Sequence, residues 1–406
     1  DALTEPNSWS SVLSSSTLPA SGLSSKPGVN RTFGILSTFP PTECGIATFS
    51  AALAAGIIAS GSTVDVVRCG TTPRMEDASV LGTIGDHTGP GRFAGAVDVL
   101  NRTDVAIVQH EYGLYEGADG VSIIEIMDRL VVPTIVVAHT VLSEPTPNQR
   151  FVLGRVCHAA DVVVVMTETA RVRLIAGFGV DPTRVVVIPH GAATPPAEAL
   201  PPDDPQAHRP RLLTWGLLGP GKGIEWAIDA VADLVDLRPR PRYIIAGATH
   251  PKVLAHSGES YRRMLQQRVA NSAAASCVTF DDTYRDLASL TDLIRSADLV
   301  VLPYDSKDQV TSGVLVDAVA AGRPVVSTAF PHAVELLGGG AGIVVPQRDP
   351  AALAAAIRSV LTDRDKASDM AAEARRLAPD LTWTAVAGTY AEVAGKLLEA
   401  RRSARR

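Results

Sequence analysis

The sequence predicts an α/β protein of two domains, each a parallel sheet covered on both faces by helices. Three observations carry this expectation. Short continuous runs of Val, Ile and Leu, such as Val105-Ala106-Ile107-Val108 and Val162-Val163-Val164-Val165, alternate with Ala- and Leu-rich segments, the pattern of strands buried on both faces. The alternation stops at Pro195-Pro196 and Pro201-Pro202-Asp203-Asp204-Pro205 and then restarts, which reads as a linker. At 406 residues, with 46% hydrophobic and 20% charged side chains, the chain is long enough for two hydrophobic cores.

The elements follow in order. Apolar runs at 32–37, 64–68, 105–109, 134–138, 162–166 and 184–188 predict the strands of the first domain, and 45–60 predicts its first helix. Beyond the linker, runs at 211–215, 243–246, 299–302, 325–327 and 343–345 predict the second sheet, with helices from Lys222, over 257–270 and over about 383–401. The expected division is a mobile leader over 1–31, a first domain over 32–193, the linker over 194–208, a second domain over 209–380, and a final helix with a basic tail over 381–406.

A net charge of −6 argues against a nucleic-acid binder, so an anionic substrate would need a local positive site. Cys44, Cys69, Cys157 and Cys277 have neither ligand nor disulfide spacing, which fits a reducing cytoplasm. The sequence has no run of about twenty apolar residues, and 1–31 lacks the order of a signal peptide. The tail Arg401-Arg402-Ser403-Ala404-Arg405-Arg406 is either solvated or a peripheral contact with anionic lipid.

Several strings carry chemistry. The first loop, Thr38-Phe39-Pro40-Pro41-Thr42-Glu43-Cys44-Gly45-Ile46-Ala47-Thr48-Phe49, puts prolines before a glycine at a helix start; it is either a plain connection or a ligand loop centred on Gly45. His110 in Gln109-His110-Glu111 and His139 in Ala138-His139-Thr140 each end an apolar strand. A lone histidine is as readily a core residue, but two on neighbouring strand ends lie where α/β folds bind ligands. In Trp215-Gly216-Leu217-Leu218-Gly219-Pro220-Gly221-Lys222-Gly223, backbone N–H groups and an ammonium offset negative charge. It is not a P-loop, because the Walker spacing and the following Ser or Thr are missing; the alternative is a solvated lysine. Gln309-Val310-Thr311-Ser312-Gly313 opens an apolar helix that Gly322-Arg323-Pro324 closes. Such a helix start suits a phosphate, and Asp317 is placed to reach sugar hydroxyls. His190 in Pro189-His190-Gly191 is a hinge or a site residue, Gly247 permits close backbone approach, and Tyr304 contacts a base or caps its strand.

Taken in order, the 38–49 loop, the Lys222 turn and the 309–324 block resemble the family 4 retaining glycosyltransferases, over about 32–400. The resemblance implies the GT-B fold, two Rossmann-like domains facing across a central cleft, with the last helix crossing back to the first domain. Three departures stand out: Gln309 replaces the family's first acid, Asp317 its second, and Leu217 an arginine five residues before the lysine. Arg171 or Arg323 would then be the compensating cation. Glu335 matches an acid common in the family.

The reaction so implied is transfer of a hexose, with retention, from a nucleoside diphosphate sugar of the GDP-mannose or UDP/ADP-glucose type to a hydroxyl of a sugar or glycolipid. The catalytic residues would be His139, Lys222 and Gln309. Gly45, Gly219, Gly221, Gly247, Tyr304, Thr311, Ser312, Gly313 and Asp317 would bind the donor, and His110, Glu111 and His190 would face the acceptor. No tightly bound cofactor and no metal site are expected, Mg²⁺ being at most stimulatory. A non-catalytic nucleotide-sugar-binding protein and a nucleotide-sugar epimerase on the same fold are the alternatives.

Overall fold

The computed structural model describes residues 30–42, 44–70, 79–84, 91–194, 209–283 and 285–405; most of the expected leader, and the linker from 195 to 208, lie outside the described residues. The chain divides into two compact units, Asp1–Gly191 with Trp383–Arg406, and Ala192–Thr382.

The first unit holds seven parallel strands, β1 (Thr32–Ser37), β2 (Thr63–Cys69), β3 (Val80–Ile84), β4 (Val105–His110), β5 (Thr134–Ala138), β6 (Val162–Val165) and β7 (Val185–Val187), in the order β3-β2-β1-β4-β5-β6-β7. The second holds six, β8 (Arg211–Trp215), β9 (Arg242–Ala246), β10 (Val278–Asp281), β11 (Leu299–Leu302), β12 (Val325–Thr328) and β13 (Gly342–Val345), in the order β10-β9-β8-β11-β12-β13, again parallel. In both sheets the order reverses beside the first strand. The crossovers at β1/β4 and β8/β11 therefore diverge and leave a crevice beyond the strands' C-terminal ends, where ligands of such folds bind.

Successive side chains of a strand point to opposite faces. Leu299 and Val301 thus join one buried cluster, with the helices Ile224–Ala232 and Pro350–Thr362, while Val300 and Leu302 join a second, with the helix Gly313–Ala320. In the first unit, Phe33, Ile35, Val105, Ile107, Ile135 and Val137 form one core with the helices Gly45–Ala59 and Trp383–Ala404. Those helices touch closely: a Cβ on Gly56 would lie 2.8 Å from Ala387 Cβ.

The structure differs from the sequence reading at several elements. β3 and β10 were not anticipated; both are edge strands and only partly buried. The helix expected over 257–270 is two, Pro251–Ser257 and Ser260–Ala270, parted at Gly258 with φ 57°. β4 runs one residue further, to His110, which pairs with Ala138. The final helix reaches Ala404, and Arg401 is not a loose tail residue: it donates to the Val131 carbonyl at 2.6 Å and pairs with Asp161 at 3.2 Å.

Candidate functional site

In the first unit, β1 feeds the helix Gly45–Ala59 through the 38–42 turn. Cys44 caps this helix, its Sγ accepting from Ala47 N–H at 3.4 Å and lying 3.2 Å from Thr38 Oγ1. A Cβ on Gly45 would meet nothing within 4 Å, so packing does not demand glycine there and the space beside it is open. One turn on, the Phe49 ring meets those of His139, His190 and Trp383 edge to face, at 4.9, 5.1 and 4.9 Å.

His139 Nε2 is 2.6 Å from Gln109 Oε1. A carbonyl oxygen only accepts, so Nε2 carries the proton and Nδ1 presents a lone pair. Burial, helped by His190 and His110, lowers the His139 pKa to about 3, which keeps the ring neutral and suits it to hydrogen bonding rather than proton transfer. His190 Nδ1 donates to the Gly191 carbonyl at 2.6 Å, and burial lowers its pKa to about 4. Gly191 follows because a Cβ there would sit 2.4 Å from the Trp383 indole.

His110 is a correction. Read as the first residue past a strand, it is the last residue within the strand, 1% exposed and packed edge to face on Tyr112 at 5.4 Å. Burial lowers its pKa to about 4, and neither ring nitrogen has a hydrogen-bond partner among the described residues. It has no surface to offer an acceptor. Glu111 is half-buried and accepts from the Tyr112 N–H at 3.0 Å and from the Thr140 hydroxyl.

In the second unit the turn 219–223 joins β8 to the helix Ile224–Ala232. Gly223 caps that helix at φ 62°, and a Cβ on it would fall 1.9 Å from the Pro303 carbonyl oxygen. Only glycine fits, so the helix starts at Ile224 rather than at Lys222, and Lys222 belongs to the turn. Its N–H donates to the Gly219 carbonyl at 3.2 Å, and the Gly221 carbonyl accepts from Asp305 N–H at 3.2 Å. The Lys222 ammonium stands over the Tyr304 ring, 4.3 Å from its centroid.

Tyr304 is the second correction. It is 1% exposed and its ring stacks on Phe330 at 5.0 Å, which leaves no open face for a nucleotide base. Sequence position placed it correctly past β11, but not its orientation. Gly247 lies against the backbone of Gly216, and its carbonyl accepts from Arg262, so the close approach it permits is between β8 and β9.

Past β11, Ser312 caps the helix Gly313–Ala320, its Oγ accepting from Leu315 N–H at 3.3 Å. The Ser312 N–H itself donates to His332 Nδ1 at 2.9 Å. Two of the N–H groups at this helix start are therefore engaged within the fold, by His332 and by the Ser312 hydroxyl. The Gln309 amide turns back to the Thr311 carbonyl, and the buried Thr311 hydroxyl has no hydrogen-bond partner among the described residues. Asp317 is half-buried on this helix, and burial raises its pKa to about 7. Neither cation considered as a replacement at Leu217 serves: Arg323 donates to the carbonyls of Ala321, Arg295 and Ala297, and Arg171 pairs with Glu168 at 2.8 Å. Glu335 is exposed on the helix Pro331–Leu337.

The sequence reading missed Gln109, Phe49, Trp383, His332 and Arg262. Only Gln109 carried a local signal: two consecutive polar residues closing a strand buried on both faces. Among the described residues no group of three or more His, Cys, Asp or Glu could hold a metal ion, and no helix is long and apolar enough to cross a membrane.

Two parallel Rossmann-like sheets in one chain are the architecture of the GT-B glycosyltransferases. Residues 44–194 match the family described as Glycosyltransferase Family 4 and residues 209–363 that described as Glycosyl transferases group 1, and the chain belongs to this family. It is 30% identical over 318 residues to a D-inositol 3-phosphate glycosyltransferase of Kineococcus radiotolerans, covering 68% of this chain and 69% of that one. A sucrose-phosphate synthase of Thermosynechococcus elongatus shares the fold with a TM-score of 0.72 at 19% identity, over 91% of this chain and all of that one. Anabaena HepE in complex with UDP-glucose superposes with a TM-score of 0.67 at 17% identity, over 90% of this chain and 99% of that one.

Proposed function

We propose that this protein transfers a hexose from a nucleoside diphosphate sugar to a hydroxyl of a sugar or glycolipid acceptor, with retention at the anomeric carbon. The observation that carries the reading is Lys222, an ammonium fixed in a glycine turn at the β8/β11 switch point. The ammonium and the N–H groups of Gly313 and Val314 would stabilise the diphosphate as it leaves. Asp317 would take the ribose hydroxyls, and Gln309 would hold the loop beside them. The open space at Gly45 and the Nδ1 lone pair of His139 would receive the donor sugar, with His190 and Glu111 on the acceptor side. On one face of the sugar the bond from the anomeric carbon to the diphosphate oxygen breaks as the acceptor oxygen bonds to that carbon. The acceptor's proton passes to the departing phosphate oxygen. In this reading the lysine and the helix start supply the charge, and no metal is required.

UDP-glucose bound to HepE makes uridine the first base to try, and the name of the Kineococcus relative adds an inositol phosphate to the acceptors worth trying. The test is thermal unfolding with UDP, GDP and ADP and their glucose and mannose conjugates. Stabilisation by one nucleotide family, lost in Lys222→Ala, is the expected result. No shift with any of them at millimolar concentration, roughly the range where weak donors still bind, would sink the reading.

A further inference from the structure

We infer that Tyr304 is a positioning residue for Lys222, its buried ring forming the seat that holds the ammonium at the phosphate site. The inference rests on Lys222 being the cation of the proposed donor site. The lysine turn and the tyrosine segment are joined on both sides of the pair. Gly221 accepts from Asp305 N–H at 3.2 Å, and Gly223 lies so close to Pro303 that a Cβ would come within 1.9 Å of its carbonyl oxygen. Lys222 stands between those glycines and Tyr304 between those partners, so the two side chains face each other by construction. The ammonium lies 4.3 Å from the ring centroid, within the reach of a cation–π contact.

The ring cannot swing away. Its stacking partner Phe330 is itself fully buried, and the Tyr304 carbonyl accepts from the Thr328 hydroxyl. The nearby carboxylate, Asp305, is drawn off by Arg348 at 3.1 Å. A carboxylate partner would compete with a phosphate for the ammonium, whereas an aromatic face orients it and leaves its N–H donors to the ligand. Leucine at 217 brings no guanidinium to share the load, which makes the orientation of the lysine matter more.

The experiment has two readouts. In reductively ¹³C-methylated protein, the Lys222 methyl signal is expected upfield of the other lysines through the ring current, in wild type and in Tyr304→Phe, and unshifted in Tyr304→Leu. In calorimetric titration with UDP, Tyr304→Leu is expected to weaken binding roughly tenfold, the size of a well-placed cation–π contact. Tyr304→Phe should retain most of the affinity, and Tyr304→Leu should cost nothing further in a Lys222→Ala background. An unshifted Lys222 signal in wild type overturns the inference, as does a Tyr304→Leu loss that persists undiminished in Lys222→Ala. A shifted signal with UDP affinity untouched by Lys222→Ala would keep the seat and reject Lys222 as the phosphate cation.

Discussion

Burial raises the Asp317 carboxyl from its ordinary 3.8 to about 7. The unfolded chain gives up this proton first, so the group disfavours folding increasingly as pH rises from about 3.8 to 7. Asp317→Asn is therefore expected to melt higher than wild type at pH 8, with the two converging near pH 4, and to bind nucleotide more weakly; thermal scans against pH with and without UDP check both. The buried histidines act in the other direction. His110, His139 and His190 have pKa values lowered to between about 3 and 4 from 6.5, so their contribution is whole above 6.5 and lost as pH falls towards 4. His110→Leu should flatten the fall in melting temperature between pH 7 and 4.5. At this scale the sequence showed which residue types stand at strand ends and turns, because turn chemistry is local. It did not show that His110 and Tyr304 are turned inward, because burial is decided by neighbours distant in the chain.

Among the elements, the continuous runs that became β4, β5, β6, β11 and β12 were legible because both faces of those strands are covered. β3 and β10 were not, since edge strands such as Val80-Leu81-Gly82-Thr83-Ile84 are only partly buried and carry no apolar run. The start of the helix Ile224–Ala232 was misplaced by two residues because the Pro303 carbonyl, eighty residues on, makes Gly223 its cap. Close approach also fixes Gly191 against Trp383. Gly191→Ala is expected to destabilise the fold by about 1–3 kcal/mol, the usual cost of overpacking, read as a shift of the urea midpoint. Gly45→Ala, where a Cβ meets nothing, should leave that midpoint unchanged while weakening donor binding.

For the whole molecule, the chain leaves the first unit after Gly191 and returns to it at Trp383, so the last helix completes a core begun more than three hundred residues earlier. If Lys222 and the helix start at Gly313 supply the charge for the leaving diphosphate, EDTA should leave turnover of the identified donor within about twofold; a tenfold loss, about 1.4 kcal/mol of transition-state stabilisation, restored by Mg²⁺, would show that a metal is needed. The sequence by itself determined the two-sheet α/β plan, the order of the glycine turns and helix starts, and the glycosyltransferase family, because strand periodicity and turn chemistry are written in neighbouring residues. Only the tertiary structure decided that His332 holds the Ser312 N–H, that Phe49 gathers two histidines and Trp383, and that Lys222 rests on Tyr304. Each of these contacts joins residues that the chain keeps apart, and they meet only when their own unit folds.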